Sequence, residues 1–134
     1  MKPVDQIFTS KPEINQYGDC QRAVIASLLE LPIDEVPHFL QEANGDAGDY
    51  WLGIQSFLGK KGFAYLTADI GAIHHFYGND GEIYHEISGP SPRGNGLYHA
   101  VVGCNGKIAF DPHPSREGLA GEQSEWRHAY LVKI

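Results

Sequence analysis

Hydrophobic residues recur at helical spacing in the first half of the chain. The first apolar stripe begins at Cys20, and Pro32 ends it. Residues three and four positions apart lie on one face of a helix, so the stripe predicts an amphipathic helix that starts at Cys20. The stripe consists of Cys20, Ala23, Val24, Ser27, Leu28 and Leu31.

A second stripe predicts a longer helix from Tyr50 to about Lys61. Asp49 can cap its first turn, and Gly62 supplies the left-handed residue that commonly ends a helix. The polar, proline-punctuated residues 1–16 are expected to form an extended arm before the first helix. Residues 32–39 are expected to form one short helical turn. The second stripe consists of Trp51, Ile54, Phe57 and Leu58.

The second half of the chain changes to the short, β-branched and aromatic runs that are typical of strands. Turn-rich loops separate these runs. Helices followed by a series of adjacent strands indicate an α+β fold with an antiparallel sheet. The length of 134 residues fits one domain that spans the whole chain. The predicted strands are residues 63–66, 83–87, 97–102, 107–111 and 126–132.

Composition and charge narrow the functional classes. The formal net charge is −7 and the Lys and Arg residues are not clustered, which argues against a nucleic-acid partner. The first residues lack the apolar core of a signal peptide, and no apolar run has the length of a membrane span. With only two cysteines, these features lead us to expect a cytoplasmic protein without a disulfide or a membrane partner.

The start of the first helix is a good position for a nucleophile. Gly18 and Asp19 read as a turn that ends on the N-cap, so Cys20 is the first helical residue. The unpaired N–H groups and the helix dipole favour the thiolate form there. The alternative is that Cys20 is a small buried hydrophobe, as most free cysteines are.

A hairpin around Asn105 and Gly106 places two further residues together. In a three-residue loop that begins at Cys104, Gly106 would be the left-handed residue, and His99 would lie opposite Asp111. Directly opposed residues have Cβ atoms about 5 Å apart, so the imidazole and the carboxylate could hydrogen-bond. A two-residue loop would shift the register by one and separate them onto opposite faces.

Cys20, His99 and Asp111 have the side chains needed for a thiol nucleophile, a base and the group that orients the base. In such a site, the thiolate attacks an acyl carbon and the imidazolium protonates the leaving group. Water then hydrolyses the thioester. The alternative is that His99 is a hydrogen-bonded core histidine and Asp111 a turn residue at a strand end.

Two other segments supply weaker candidates. The amides of Gln16 and Asn15 could act as oxyanion donors, or could be solvated loop amides. The loop 89–96 could form a rim that receives the substrate, or could be a simple connector. Its candidate residues are Gly89, Ser91, Arg93 and Gly94.

A metal site is not predicted. Adjacent histidines on a strand, such as His74 and His75, point to opposite faces, and His85 and His113 lack zinc-type spacing with them. The loop 89–96 does not follow the strand-to-helix pattern of a phosphate-binding loop. We therefore expect no cofactor.

The Asp-Cys-x-x-Ala helix start at Cys20 and the Tyr-His-Ala-Val-Val strand that leads to Phe-Asp-Pro resemble papain-like cysteine peptidases. The similarity is greatest to the leader-peptidase domains of bacteriocin exporters. It covers residues 16–31 and 97–112, about a quarter of the chain. Gln21 stands where those peptidases usually have Gly, and Gln16 lies closer to the cysteine than their oxyanion glutamine. Residues 31–39 and 88–94 also resemble short uncharacterised proteins of phages and bacteria, which implies no activity.

The resemblance implies a papain-like fold in which the Cys20 helix packs on an antiparallel sheet that bears His99 and Asp111. The expected function is hydrolysis of a peptide or isopeptide bond in a peptide or protein substrate. Transfer of an acyl or amide group would use the same three residues with a different acceptor. A non-catalytic binding protein on this scaffold, such as a phage-encoded inhibitor, is the alternative from another class.

Overall fold

In a computed structural model of the protein, the structure describes residues 1–68 and 81–134. Three 3-10 turns, at Pro12–Ile14, Ile33–Glu35 and Gln123–Glu125, accompany the main elements. The helices are α1 (Cys20–Leu29), α2 (Phe39–Glu42) and α3 (Ala47–Lys61). The strands are β1 (Phe63–Ala68), β2 (Tyr84–Pro90), β3 (Tyr98–Cys104), β4 (Lys107–Phe110) and β5 (Arg127–Lys133).

The five strands form one sheet in the order β1-β5-β2-β3-β4, and every neighbouring pair is antiparallel. The α+β class and the antiparallel sheet are confirmed, and each predicted strand is present with its ends shifted by a few residues at most. The C-terminal strand β5 lies between β1 and β2. This insertion brings the end of the chain into the middle of the sheet.

The helix α1 joins two hydrophobic clusters. On one side, Val24 packs against Ala100 and Val102 of β3. On the other side, Ile25 and Ala26 pack in a cluster with α3, whose Ile54 and Leu58 are buried. Because α1 is enclosed from both sides, its first residue has a fixed position relative to the sheet.

Helix α3 begins earlier than the sequence predicted. Its N-cap is Asp46, whose side chain accepts a hydrogen bond from the backbone N–H of Asp49 at 2.9 Å. The prediction of Asp49 as the cap is therefore wrong, because both aspartates fit a cap and Asp46 precedes the first turn. The predicted C-terminal end is confirmed, with Gly62 at φ 85°.

The N-terminal arm packs along α1. Its backbone N–H groups at Lys2 and Val4 donate to the carbonyl and the hydroxyl of Ser27. Near the start of α1, the N–H groups of Ile7 and Phe8 both donate to Oδ1 of Asp19, at 3.0 and 2.8 Å. The arm is thus held in place by hydrogen bonds at both ends of the helix.

Candidate active site

Cys20 is the first residue of α1, as predicted, but Asp19 does not cap the helix with its side chain. The carboxylate of Asp19 instead holds the arm and lies 3.4 Å from the guanidinium of Arg22. The backbone N–H groups of Cys20 and Gln21 have no hydrogen-bond acceptor among the described residues. The first turn of the helix therefore keeps free donors beside the thiol.

The β3–β4 hairpin has a different loop from the predicted one. Asn105 and Gly106 both have positive φ, at 51° and 82°, and form a two-residue loop between the paired residues Cys104 and Lys107. Such a loop matches the right-handed twist of the strands. The predicted three-residue loop and the direct pairing of His99 with Asp111 are wrong.

A β-bulge compensates for the shorter loop. Gly103 pairs with Ile108 but Val102 pairs with Phe110, so Ala109 is an extra residue in β4. One extra residue turns the following side chains of a strand to the other face.

With this correction, Nε2 of His99 lies 2.7 Å from Oδ1 of Asp111, and both side chains are buried. The predicted contact between them is present, although the register of the hairpin differs from the predicted one.

The Asp111 carboxylate accepts three hydrogen bonds. Oδ1 also accepts from the backbone N–H of His113 at 2.9 Å, and Oδ2 accepts from the N–H of Gly118 at 2.7 Å. Burial alone would raise the pKa of Asp111, but these bonds and the His99 ring hold it below its ordinary value. The loop after β4 thus fixes the carboxylate in its ionised form.

His99 is held as an imidazolium. Burial favours the neutral ring, but the hydrogen bond to Asp111 and the neighbouring Cys20 raise the pKa of His99 to about 9. Since Nε2 is bonded to Asp111, Nδ1 is the ring nitrogen left to face the sulfur of Cys20. The structure therefore places the His99–Asp111 pair and Cys20 beside the same cavity.

A cavity of about 630 Å³ lies beside Cys20 and His99. This volume is within the range of roughly 300–1,000 Å³ that small-molecule sites occupy. Cys20 and His99 line it directly, and Ser91, Arg93 and Gly94 of the predicted rim line it too. These three loop residues therefore lie at the cavity, and their role in receiving a substrate stays a prediction.

Gly89 is an exception. It lies within β2, paired with His99, and a Cβ added there would lie 2.7 Å from the Trp126 ring. It serves close packing in the sheet and does not belong to the rim.

The structure does not bring the predicted oxyanion amides to the cavity. Nε2 of Gln16 donates to the carbonyl of Thr9 at 2.7 Å, and Nδ2 of Asn15 contacts Asn44. Neither residue is among those that line the cavity. Both residues follow the turn at Pro12–Ile14; the Gln16 amide bonds within the arm, and the Asn15 amide faces the loop after α2.

Gln6 is an amide side chain at the cavity that was not predicted from the sequence. It lines the cavity, its Nε2 donates one hydrogen to the carbonyl of Phe8 at 2.7 Å, and its backbone N–H donates to Pro112. An ideal Cβ on Gly18 would lie 3.8 Å from Nε2 of Gln6. No pattern in the sequence indicated Gln6. It lies 14 residues before Cys20, and it reaches the cavity only through the path of the arm.

The cavity also contains an acidic residue that the sequence analysis did not select. Glu86 lines it and is only 2% exposed. Glu86 is a charged residue within the strand predicted at residues 83–87, and this feature of the sequence could have marked it.

The histidines His85 and His113, which were considered as metal ligands, do not share a site with each other. No group of three His, Cys, Asp or Glu side chains within residues 1–68 and 81–134 could hold a metal ion. His85 packs edge-to-face against His128, while His113 lies beside His99 at the cavity. His74 and His75 lie outside the described residues.

Comparisons with known proteins add no family to this description. No protein-family model matches the chain, and neither the curated proteins nor the solved structures searched contain a match. None of the helices in the described ranges is long and apolar enough to cross a membrane.

Proposed function

We propose that the protein is a cysteine-dependent acyl hydrolase with a papain-like arrangement of Cys20, His99 and Asp111. The observation that carries the proposal is the buried hydrogen bond between His99 and Asp111, with His99 and Cys20 lining the same cavity of suitable size. Peptide or isopeptide bonds are the simplest substrates for this chemistry.

The reaction begins with attack of the Cys20 thiolate on the carbonyl carbon, which forms the C–S bond. The negative charge that develops on the carbonyl oxygen is stabilised by hydrogen bonds that the backbone N–H of Cys20 and the second hydrogen on Nε2 of Gln6 donate. His99 gives the proton facing Cys20 to the leaving amine, and the C–N bond breaks. The product of this step is a thioester on Cys20.

Water completes the cycle. The neutral His99 ring takes a proton from the attacking water, the oxygen bonds to the acyl carbon, and the C–S bond breaks. The acid is released and the thiolate–imidazolium pair is restored. Asp111 keeps the ring oriented in both steps and stabilises its charged form.

The two cysteines provide an internal comparison for the test. Both are partly exposed, but only Cys20 has a helix N-terminus and the His99 ring beside it. A stoichiometric activated ester should acylate Cys20 and leave Cys104 unmodified, as measured by mass spectrometry of proteolytic fragments. Equal modification of both thiols, or none in the folded protein, would refute the proposal.

Two variants separate catalysis from binding. Cys20→Ala should remove acylation, while Cys104→Ala should retain it at the unmodified rate. Adding an amine acceptor to the acyl-enzyme separates hydrolysis from transfer, because transfer would yield an amide instead of the free acid. A Cys20→Ala protein that folds and keeps the full biological effect would favour the binding-protein alternative.

A further inference from the structure

Glu86 is a buried acid that the proposed acyl chemistry does not use. Its Oε2 accepts hydrogen bonds from Nε2 of Gln21 at 2.9 Å and from the hydroxyl of Tyr65 at 2.8 Å. Its Oε1 has no donor among the described residues, although the side chain lines the cavity. Burial raises the pKa of Glu86, whereas the hydrogen bonds from Gln21 and Tyr65 lower it. A cationic donor at the free oxygen would stabilise the ionised form, so this oxygen is a position for a donor from a ligand.

Three aromatic rings line the cavity beside this acid. Tyr65, which bonds to Glu86, has its ring centroid 5.5 Å from that of Trp51, and Trp51 lies 5.1 Å from Tyr50. Trp51 is 40% exposed, so the series of rings runs from the buried carboxylate to the surface. Aromatic faces attract cations, most strongly where water is excluded.

This compartment lies next to the nucleophile. Gln21 directly follows Cys20, and its side chain holds Glu86. Tyr50 lines the same cavity as Glu86 and Cys20. Burial raises the pKa of Tyr50, and the charges of Glu86 and Cys20 raise it further. The cationic residues Arg22, Arg93 and Arg127 also line the cavity, but none of them bonds to Glu86.

We propose that the compartment formed by Glu86, Tyr50, Trp51 and Tyr65 binds the side-chain ammonium of a lysine-type residue in the acyl part of the substrate. This inference rests on the proposed function and adds a substrate class to it. A single free oxygen suits a compact ammonium, whereas a guanidinium binds best to both oxygens of a carboxylate. An anionic group offers no donor to this oxygen.

The test uses para-nitrophenyl esters of Nα-acetyl-lysine and of Nα-acetyl-norleucine, which differ only in the ammonium group. Single-turnover acylation of Cys20 should favour the lysine ester on the order of tenfold. Glu86→Gln keeps the size of the side chain and its contacts with Gln21 and Tyr65, and should bring this ratio close to one. Glu82→Gln is the matched control, because Glu82 is exposed and outside the cavity, and it should keep the ratio.

Several results would overturn the proposal. A ratio near one in the unmodified protein, or a ratio unchanged by Glu86→Gln, would remove Glu86 as the recognition group. Faster acylation by the corresponding arginine ester would contradict the assignment of an ammonium.

Failure of the proposed function would look different, since no ester would acylate Cys20. In that case, NMR of the Cys20→Ala protein still tests the compartment through the Trp51 indole N–H, assigned with Trp51→Phe. Nα-acetyl-lysine amide should shift this signal and Nα-acetyl-norleucine amide should not. The absence of any shift would overturn the inference.

Discussion

Nε2 of His99 lies 2.7 Å from Oδ1 of Asp111, although the two residues are not paired across the β3–β4 hairpin. The contact depends on the bulge at Ala109, which offsets the two-residue loop at Asn105 and Gly106. Because a one-residue change of register turns side chains to the opposite face, the bulge is a requirement for this contact. The loop and the bulge therefore act together to form the site.

The His99–Asp111 pair should make stability depend on pH in a defined direction. The pKa of His99 is raised from 6.5 to about 9, so its contribution is fully present below pH 6.5 and is lost as pH rises through about 9. The pKa of Asp111 is lowered from 3.8, so its contribution is present above that value and is lost as pH falls through the lowered pKa.

Urea unfolding of the unmodified protein and of His99→Gln between pH 5 and 10 measures this contribution. The difference in the free energy of unfolding should fall by an amount on the order of 1–3 kcal/mol across the upper window. A difference that stays constant from pH 6 to pH 10 would show that His99 has no raised pKa in the folded state.

Asp111→Asn should be less stable than its similar shape suggests. The Asp111 carboxylate accepts from His99, from the N–H of His113 and from the N–H of Gly118. If the amide oxygen keeps the first two bonds, the NH₂ group faces the Gly118 N–H, and two donors are left opposed. We expect a loss of about 1–3 kcal/mol in the free energy of unfolding, measured by urea denaturation.

Activity should separate this variant from Asp111→Ala. The asparagine oxygen can still accept from His99 and orient the ring, so acylation should fall less in Asp111→Asn than in Asp111→Ala. Cys20→Ala and His99→Ala should show the largest losses, because they remove the nucleophile and the proton donor. Equal stability of Asp111→Asn and the unmodified protein would argue against the bond from Gly118.

The sequence was most informative where one local rule acts alone. The helix start at Cys20, the helix end at Gly62 and the five strands follow from periodicity and from residues with special backbone preferences. The three candidate residues of the triad were also selected from the sequence.

The sequence was misleading where two rules competed. A three-residue loop was predicted because it pairs His99 directly with Asp111. Asn105-Gly106 strongly favours a two-residue turn instead, and the bulge at Ala109 restores the contact. Gln6 and Glu86 could not be placed because their proximity to Cys20 depends on the path of the arm and on sheet packing. Neither of these follows a local period.

Gly103 should be intolerant of a larger side chain, since it lies at the bulge. A Cβ there would lie 2.5 Å from Cε1 of His85 and 2.6 Å from Cδ1 of Ile87. Gly103→Ala should therefore reduce the free energy of unfolding by about 1–3 kcal/mol through overpacking.

Gly59→Ala is the matched control for this substitution. Gly59 lies in α3 with open space around it, so alanine should leave stability unchanged or raise it by roughly 0.5–1 kcal/mol. Thermal or urea unfolding compares the two variants. A Gly103→Ala protein as stable as the unmodified one would show that the bulge region adjusts to the added methyl group.

The last prediction distinguishes two glutamines as oxyanion donors. Gln6 lines the cavity and has a second hydrogen on Nε2, whereas Gln16 lies outside it with its amide bonded to Thr9. Removing one such donor costs about 100-fold or more in the rate of acyl transfer in enzymes that use an oxyanion hole. Gln6→Ala should therefore slow acylation of Cys20 by about this factor, and Gln16→Ala should not slow it.

Alkylation by iodoacetamide supplies a second measurement on the same variants. This reaction displaces iodide at a saturated carbon and creates no oxyanion, so Gln6→Ala should alkylate Cys20 at the unmodified rate while it loses acylation. A parallel loss in both reactions would mean that Gln6 acts by positioning Cys20. A loss of acylation in Gln16→Ala, with Gln6→Ala unaffected, would return the oxyanion role to Gln16 and would require the arm to adopt another path during the reaction.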